Sequence, residues 1–240
     1  MWEVRGHSSP ALEDVSANLE RVRLRIAAAA SRSCRDPNSV EIVAVTKGFP
    51  FSLVEAAYAL GLRHFGENRV QETMQKWVSR PDGLVLHMVG HLQRNKARVA
   101  AAIFDVVESI DSVPVAVELS RLARKLGRRL DVLLEVNVAG EAQKFGFSPD
   151  DLFSAFENIS GLEGLRVLGL MTVAPVAQNP EEVRWVFRHL ARLRGELELR
   201  YGALLPVLSM GMSDDFEVAI EEGATWVRLG RALFGPRPVG

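Results

Sequence analysis

The chain has 240 residues, 48% of them hydrophobic, with 29 basic and 30 acidic side chains for a formal net charge of -1. That length buries one full core, and the evenly mixed charge excludes the basic footprint of a nucleic-acid binder and the polybasic face of a membrane-surface protein. Cys34 is the only cysteine, which rules out an intrachain disulfide and leaves it structural or incidental. The N-terminal residues lack a signal-type apolar run and no stretch is long enough to span a bilayer, so a cytoplasmic protein is expected.

A helical stretch from Ala11 to Ala30 comes first, and apolar strand-like runs then alternate with helix-like segments. The runs are Glu41 to Lys47, Arg63 to Glu67, Leu84 to Gly90, Val106 to Asp111, Leu130 to Val138, Val167 to Ala174, Pro206 to Ser209 and Trp226 to Leu229. This order predicts an α/β fold, a single (β/α)8 TIM barrel over 40–235 with an extra N-terminal helix over 11–30, as one domain spanning 1–240. The clearest helix start is Asn179-Pro180-Glu181-Glu182, with Asn as N-cap, Pro at N1 and Glu at N3. Val183, Val186, Phe187, Leu190, Leu193 and Leu197 form its apolar stripe, which turns Arg184, Arg188 and Arg192 towards water.

In such a barrel the chemistry lies at the C-terminal ends of the strands, and phosphate commonly binds the loops after strands seven and eight. Lys47 closes the first apolar run, where a low-dielectric edge disfavours the ammonium form and frees an amine for Schiff-base chemistry; the competing reading is an edge lysine that snorkels to water. Asn68 follows the second strand, facing the mouth or capping a helix. The seventh strand runs into Ser209-Met210-Gly211-Met212-Ser213, an anion loop or an ordinary β-to-α turn. Asp214 and Glu217 have capping-box spacing. The eighth strand ends in Arg228-Leu229-Gly230-Arg231, where Gly230 permits close backbone approach and Arg228 offers a fork of donors. His87 and His91 lack the Glu of a zinc-protease motif, so no metal site is expected. Arg94, Lys96 and Arg98 read as a solvated helix start, and Lys144 as a second mouth lysine in a more polar loop than that of Lys47.

These groups stand in a set of motifs: Ala44 to Lys47 (AVTK), Phe65 to Glu72 (FGENRVQE), Gly90 to Lys96 (GHLQRNK), Gly169 to Thr172 (GLMT), Leu208 to Asp215 (LSMGMSDD) and Arg228 to Gly235 (RLGRALFG). Together they resemble the pyridoxal phosphate homeostasis protein family, also called YggS/PROSC, over nearly everything from Val40 to Gly235. The resemblance implies a barrel like the alanine racemase N-terminal domain, holding pyridoxal 5'-phosphate (PLP) as an internal aldimine on Lys47. It implies a phosphate held by Ser209, Gly211, Met212, Ser213, Gly230 and Arg231, with Asn68 also at the cofactor. Arg228 would face the pyridine nitrogen and keep it unprotonated, which weakens the ring as an electron sink. The sequence departs from the commonest family wording at Gly48-Phe49 and at Arg231.

A non-catalytic carrier in PLP homeostasis is the function the resemblance implies, with PLP and other B6 vitamers as ligands, PLP-dependent apoenzymes as candidate recipients, no nucleic acid or membrane partner, and a monomer or weak homodimer. The alternative is a PLP-dependent amino-acid racemase or decarboxylase. Racemisation on the alanine racemase pattern needs a tyrosine base from a further domain, whereas only a short helical tail follows the eighth strand here and the only tyrosines, Tyr58 and Tyr201, fall in helices. A Schiff-base aldolase on the same fold is the third reading, and would be colourless.

Overall fold

A computed structural model of the chain describes residues 10–236. Eight parallel strands close into a barrel in sequence order: β1 (Glu41–Val45), β2 (His64–Glu67), β3 (Val85–Met88), β4 (Val106–Ile110), β5 (Leu130–Glu135), β6 (Leu165–Met171), β7 (Val207–Ser209) and β8 (Trp226–Leu229). Nine helices accompany them among the described residues: α1 (Pro10–Arg32), α2 (Phe51–Ala59), α3 (Val70–Lys76), α4 (Ala97–Ile103), α5 (Val113–Lys125), α6 (Pro149–Ser160), α7 (Arg184–Tyr201), α8 (Phe216–Glu221) and α9 (Arg231–Phe234). Every strand expected from the alternation is present; β8 has the expected bounds, β6 begins two residues earlier at Leu165, and most of the others are shorter. β1 stops at Val45 and β5 at Glu135, because the apolar runs continue past the ladder into the loops; Val136 keeps only an isolated bridge to Phe147.

The main core lies between the strands and the helix ring, where Phe65, Phe104, Phe187 and Phe216 are fully buried. Inside the barrel the apolar filling is small, Leu133, Met171 and Val207 against Trp226, and charged and polar side chains occupy the remaining space. The N-terminal helix α1 buries Val15, Leu19, Val22, Ile26 and Ala29 against α2, α8 and α9. Asn18 Nδ2 donates to Leu233 O at 2.9 Å, which fastens α1 to α9 behind the eighth strand's loop.

Two local expectations change. Asn179 caps through its side chain as predicted, accepting from Glu181 N, but the first turn is a 3-10 turn (Pro180–Val183) before α7. Arg184 and Arg188 are not simply solvated: they pair with Glu221 and Glu222 and tie α7 to the end of α8. The Asp214–Glu217 capping box does not form. α8 begins at Phe216, which puts Asp215 at the cap position, and Glu217 pairs with Arg25 instead.

Candidate functional site: the barrel mouth

Lys47 sits in the turn after β1, half-buried. Its backbone is held from below, because the neighbouring Thr46 is fully buried and both its hydroxyl and its carbonyl are bonded to side chains. Thr46 Oγ1 donates to Glu67 Oε1 at 2.5 Å, and Lys76 Nζ donates to the Thr46 carbonyl at 2.6 Å. Lys76 also pairs with Glu67 at 3.0 Å, and Trp77 Nε1 donates to the same carboxylate oxygen at 3.0 Å. Lys47 itself has no acidic partner among the described residues. It lines a cleft of about 350 Å³ with Asn68, Gln71, His91 and Lys96. Asn68 therefore belongs to the mouth; the cap of α3 falls on Arg69, which makes no side-chain cap bond. Lys96, read from the sequence as solvated, lines the same cleft.

A polar spine crosses the barrel interior beneath the mouth. His64 Nδ1 and His87 Nε2 share a hydrogen bond of 2.8 Å, His87 Nδ1 bonds Glu108 Oε1 at 2.7 Å, and Ser209 Oγ donates to Glu108 Oε2 at 2.5 Å. Arg228 Nη1 donates to Ser209 Oγ at 2.7 Å and Nη2 to the Thr172 carbonyl at 2.7 Å. Burial pushes the Glu108 carboxyl up, but the bond and charge of His87, then Arg228 and the Ser209 hydroxyl, outweigh it and hold the group below its usual range. Burial, then His87, pushes His64 down to about 4 against the pull of Glu108, so His64 is neutral at pH 7. Arg228 is thereby fixed near the strand ends by two acceptors and faced by one buried carboxylate. The Ser209 hydroxyl is spent on this spine rather than on the loop after β7, because its β7 position points into the barrel.

The loops after β7 and β8 meet beside it. Gly211 takes φ +91°, and an added Cβ would lie 2.7 Å from Ala219 Cβ and 2.8 Å from Phe216 Cα, so only glycine fits. Gly230 has an ordinary negative φ; its need is closeness, since a Cβ there would come within 3.2 Å of the Val45 carbonyl. That contact brings the eighth loop against the end of β1, two residues before Lys47. Ser213 Oγ accepts from Ala232 N at 3.1 Å and Arg231 pairs with Asp214, so the two loops are stitched together. None of the described residues accepts a hydrogen bond from the backbone N–H of Ser213 or Arg231. The Met212 N–H is already taken by Asp215 Oδ1 at 2.6 Å. Burial raises the Asp215 carboxyl above its usual range, against the opposing pull of the Met212 bond.

Glu135, at the end of β5, was not singled out from the sequence. It is 9% exposed and lines a second cleft of about 220 Å³ with Asn137, Lys144 and Phe145. Lys144 Nζ is committed to Glu141 and to the Val173 carbonyl at 3.3 Å. Glu67, Lys76 and Glu108 were missed as well. The available signal was a charge inside an apolar run, as in VVESI and LLEV, whose alternation points the carboxylate into the barrel. Among the described residues no group of three or more His, Cys, Asp or Glu gathers to hold a metal, and no helix is long and apolar enough to cross a membrane.

The sequence profile of the family described as alanine racemase, N-terminal domain, matches residues 17–238. The chain is 44% identical over 220 residues to the pyridoxal phosphate homeostasis protein of Aquifex aeolicus (strain VF5), covering 91% of this chain and 96% of the relative. It is 43% identical to the protein of the same name from Pseudomonas aeruginosa, over 95% of this chain and 98% of the relative. The structure of PipY from Synechococcus elongatus PCC7942 with PLP bound superposes with a TM-score of 0.78 at 40% identity, covering 88% of this chain and all of that one. With a family model matched over residues 17–238 and relatives at this level of identity covered almost end to end, the chain belongs to the pyridoxal phosphate homeostasis protein family, built on the alanine racemase N-terminal domain.

Proposed function

We propose that this chain binds PLP through the Lys47 amine and serves in PLP homeostasis as a carrier, without turning over a substrate of its own. The observation that carries the reading is the fit of the donor set: a mouth lysine free of any acidic partner among the described residues, beside the Ser213 and Arg231 N–H groups, for which the described residues offer no acceptor. When bound, PLP supplies an aldehyde that condenses reversibly with a primary amine, and a pyridine ring whose electron demand depends on its nitrogen. Lys47 supplies the amine, and Asn68 lines the same cleft. Gly211, Ser213, Gly230 and Arg231 supply the phosphate cradle, at about 1.5–3 kcal/mol for each hydrogen bond to a charged group. Met212 takes part only if Asp215 yields its N–H, and Ser209 acts by holding Arg228. Arg228 has only donors to offer the ring nitrogen, which disfavours carbanion chemistry and suits holding over turnover.

The racemase reading lacks its base. Tyr58 Oη donates to the Asp82 carbonyl and Tyr201 Oη to the Phe153 carbonyl, both away from the mouth. The remaining parts of the proposal are a cytoplasmic setting, other B6 vitamers as ligands, PLP-dependent apoenzymes as recipients, and a monomer or weak homodimer. Borohydride reduction of the PLP-loaded protein followed by peptide mapping tests the central assignment. A phosphopyridoxyl group on Lys47 is expected; its appearance on another lysine, or an unchanged absorbance spectrum in Lys47→Ala, overturns it. Sustained racemisation or carbon dioxide release from a panel of amino acids overturns the carrier role.

A further inference from the structure

Glu135 differs from every other buried acid at this end of the barrel. Glu67, Glu108 and Asp215 each accept two or more bonds or a short backbone bond, and Asp111 is held by His91 at 2.7 Å. Glu135 as a residue is nine-tenths buried, and its carboxylate, which opens onto a cleft, has no hydrogen bond or ion pair among the described residues. Burying a carboxylate without a partner is costly, so such a group marks a place where something else arrives. Gly90 and His91 line both this cleft and the one containing Lys47, so the two adjoin at the end of β3.

The charged groups facing Glu135 define what arrives. Asp111 beyond β4, Glu108 on β4 and Arg228 on β8 act on it through space, and Lys144 and His91 share its cleft. His91 is bound to Asp111, Lys144 to Glu141, and Arg228 to Ser209 and Thr172, so none of the cations is bonded to Glu135. The β4–β5 wall therefore offers a cation an unshared carboxylate. Burial first, then Asp111 and Glu108, raise the Glu135 carboxyl to about 7 against Arg228, which makes it a proton acceptor matched to neutral pH.

We infer that Glu135 is the acid–base group of the mouth, taking a proton from the primary ammonium group of an amine that arrives to collect the cofactor from Lys47. This rests on the proposed PLP-carrier function. An ammonium group has no lone pair, so no incoming amine displaces Lys47 until it is deprotonated. The transfer is balanced: R–NH3+ and the Glu135 carboxylate become R–NH2 and the Glu135 carboxylic acid, with no other reactant. The amine is a free amino acid or a lysine side chain, both of which present the same group.

The test loads wild type, Glu135→Gln and Glu135→Asp with PLP and follows loss of the protein-bound absorbance between pH 6 and 9. Three acceptors are used: glycine, Nα-acetyl-lysine amide, and hydroxylamine, whose nitrogen is already unprotonated at neutral pH. In wild type, release to at least one of the two ammonium acceptors should carry an inflection near pH 7. Glu135→Gln should lose that inflection and slow release at pH 8 by at least tenfold, Glu135→Asp should keep it, and hydroxylamine should release at similar rates from all three. Whichever ammonium acceptor responds identifies the source of the amine. In the cofactor-free protein, the carboxyl carbon resonance that Glu135→Gln removes should titrate near 7. Equal release from wild type and Glu135→Gln at every pH, equal slowing with hydroxylamine, or a resonance titrating near 4.5 overturns the inference. Should Glu135→Gln fail to load, loss of the inflection in Glu135→Asp overturns it too. A wild-type protein with no borohydride adduct on Lys47 is a different failure, that of the carrier reading itself.

Discussion

Arg228 Nη1 and Glu108 Oε2 lie 3.9 Å apart inside the barrel, with the Ser209 hydroxyl bonded to both. The arginine side chain is 4% exposed and the glutamate fully buried, so the two opposite charges face each other out of reach of bulk water. Breaking a buried pair from one side costs about 3–5 kcal/mol, because the remaining charge is stranded, whereas removing both is far milder. Arg228→Ala should therefore destabilise the cofactor-free protein by about that amount in urea unfolding. Adding Glu108→Gln should recover part of the loss; strictly additive effects would show that the two are independent.

Gly211→Ala tests the loop after β7. Its positive φ and the contacts awaiting a Cβ leave no room, so the loop must shift or the strain must be borne, at about 1–3 kcal/mol. PLP affinity should fall at least tenfold in an absorbance or fluorescence titration, with the barrel's circular dichroism unchanged. Unaltered affinity would take the loop out of the phosphate cradle.

Lys76→Met should loosen the seat of Lys47 without touching the mouth. It removes the donor to the Thr46 carbonyl and leaves the buried Glu67 carboxylate with only Thr46 and Trp77. A loss of about 3–5 kcal/mol follows by the same stranded-charge argument. Glu67→Gln in the same chain should restore most of it, and the yield of borohydride adduct on Lys47 should drop in the single variant and recover in the double.

Stability should depend on pH through two groups of opposite sign. His64 is depressed from 6.5 to about 4, so the unfolded chain binds its proton first; stability present above 6.5 is lost as pH falls towards 4. His64→Gln should reduce that acid loss by about 2 kcal/mol, after discounting the partial exposure of the ring. Glu135 is raised from 4.5 to about 7, so its contribution is full below 4.5 and is lost as pH rises through 7. Glu135→Gln should gain on wild type by roughly 3 kcal/mol between pH 4.5 and pH 8. Urea unfolding at pH 4.5, 6 and 8 separates the two.

The alternation of apolar runs with amphipathic segments determined the barrel, since parallel strands buried on both faces must read as apolar runs joined by helical crossovers. The same pattern put Lys47, the Ser209–Ser213 loop and Arg228 to Arg231 at strand ends, because chain order alone decides which end of a parallel strand a residue occupies. What the sequence left open was how side chains partner across the barrel. Lys76 and Thr46 are thirty residues apart and Ser209 and Glu108 a hundred and one, and no local spacing encodes such a bond. Closure of the barrel decided that Ser209 serves Arg228, that Asp215 occupies the Met212 N–H, that Lys96 joins the Lys47 cleft, and that Glu135 alone among the buried mouth acids has no partner among the described residues. Each is a matter of which inward-pointing groups reach one another when eight strands close, and that distance exists only in three dimensions.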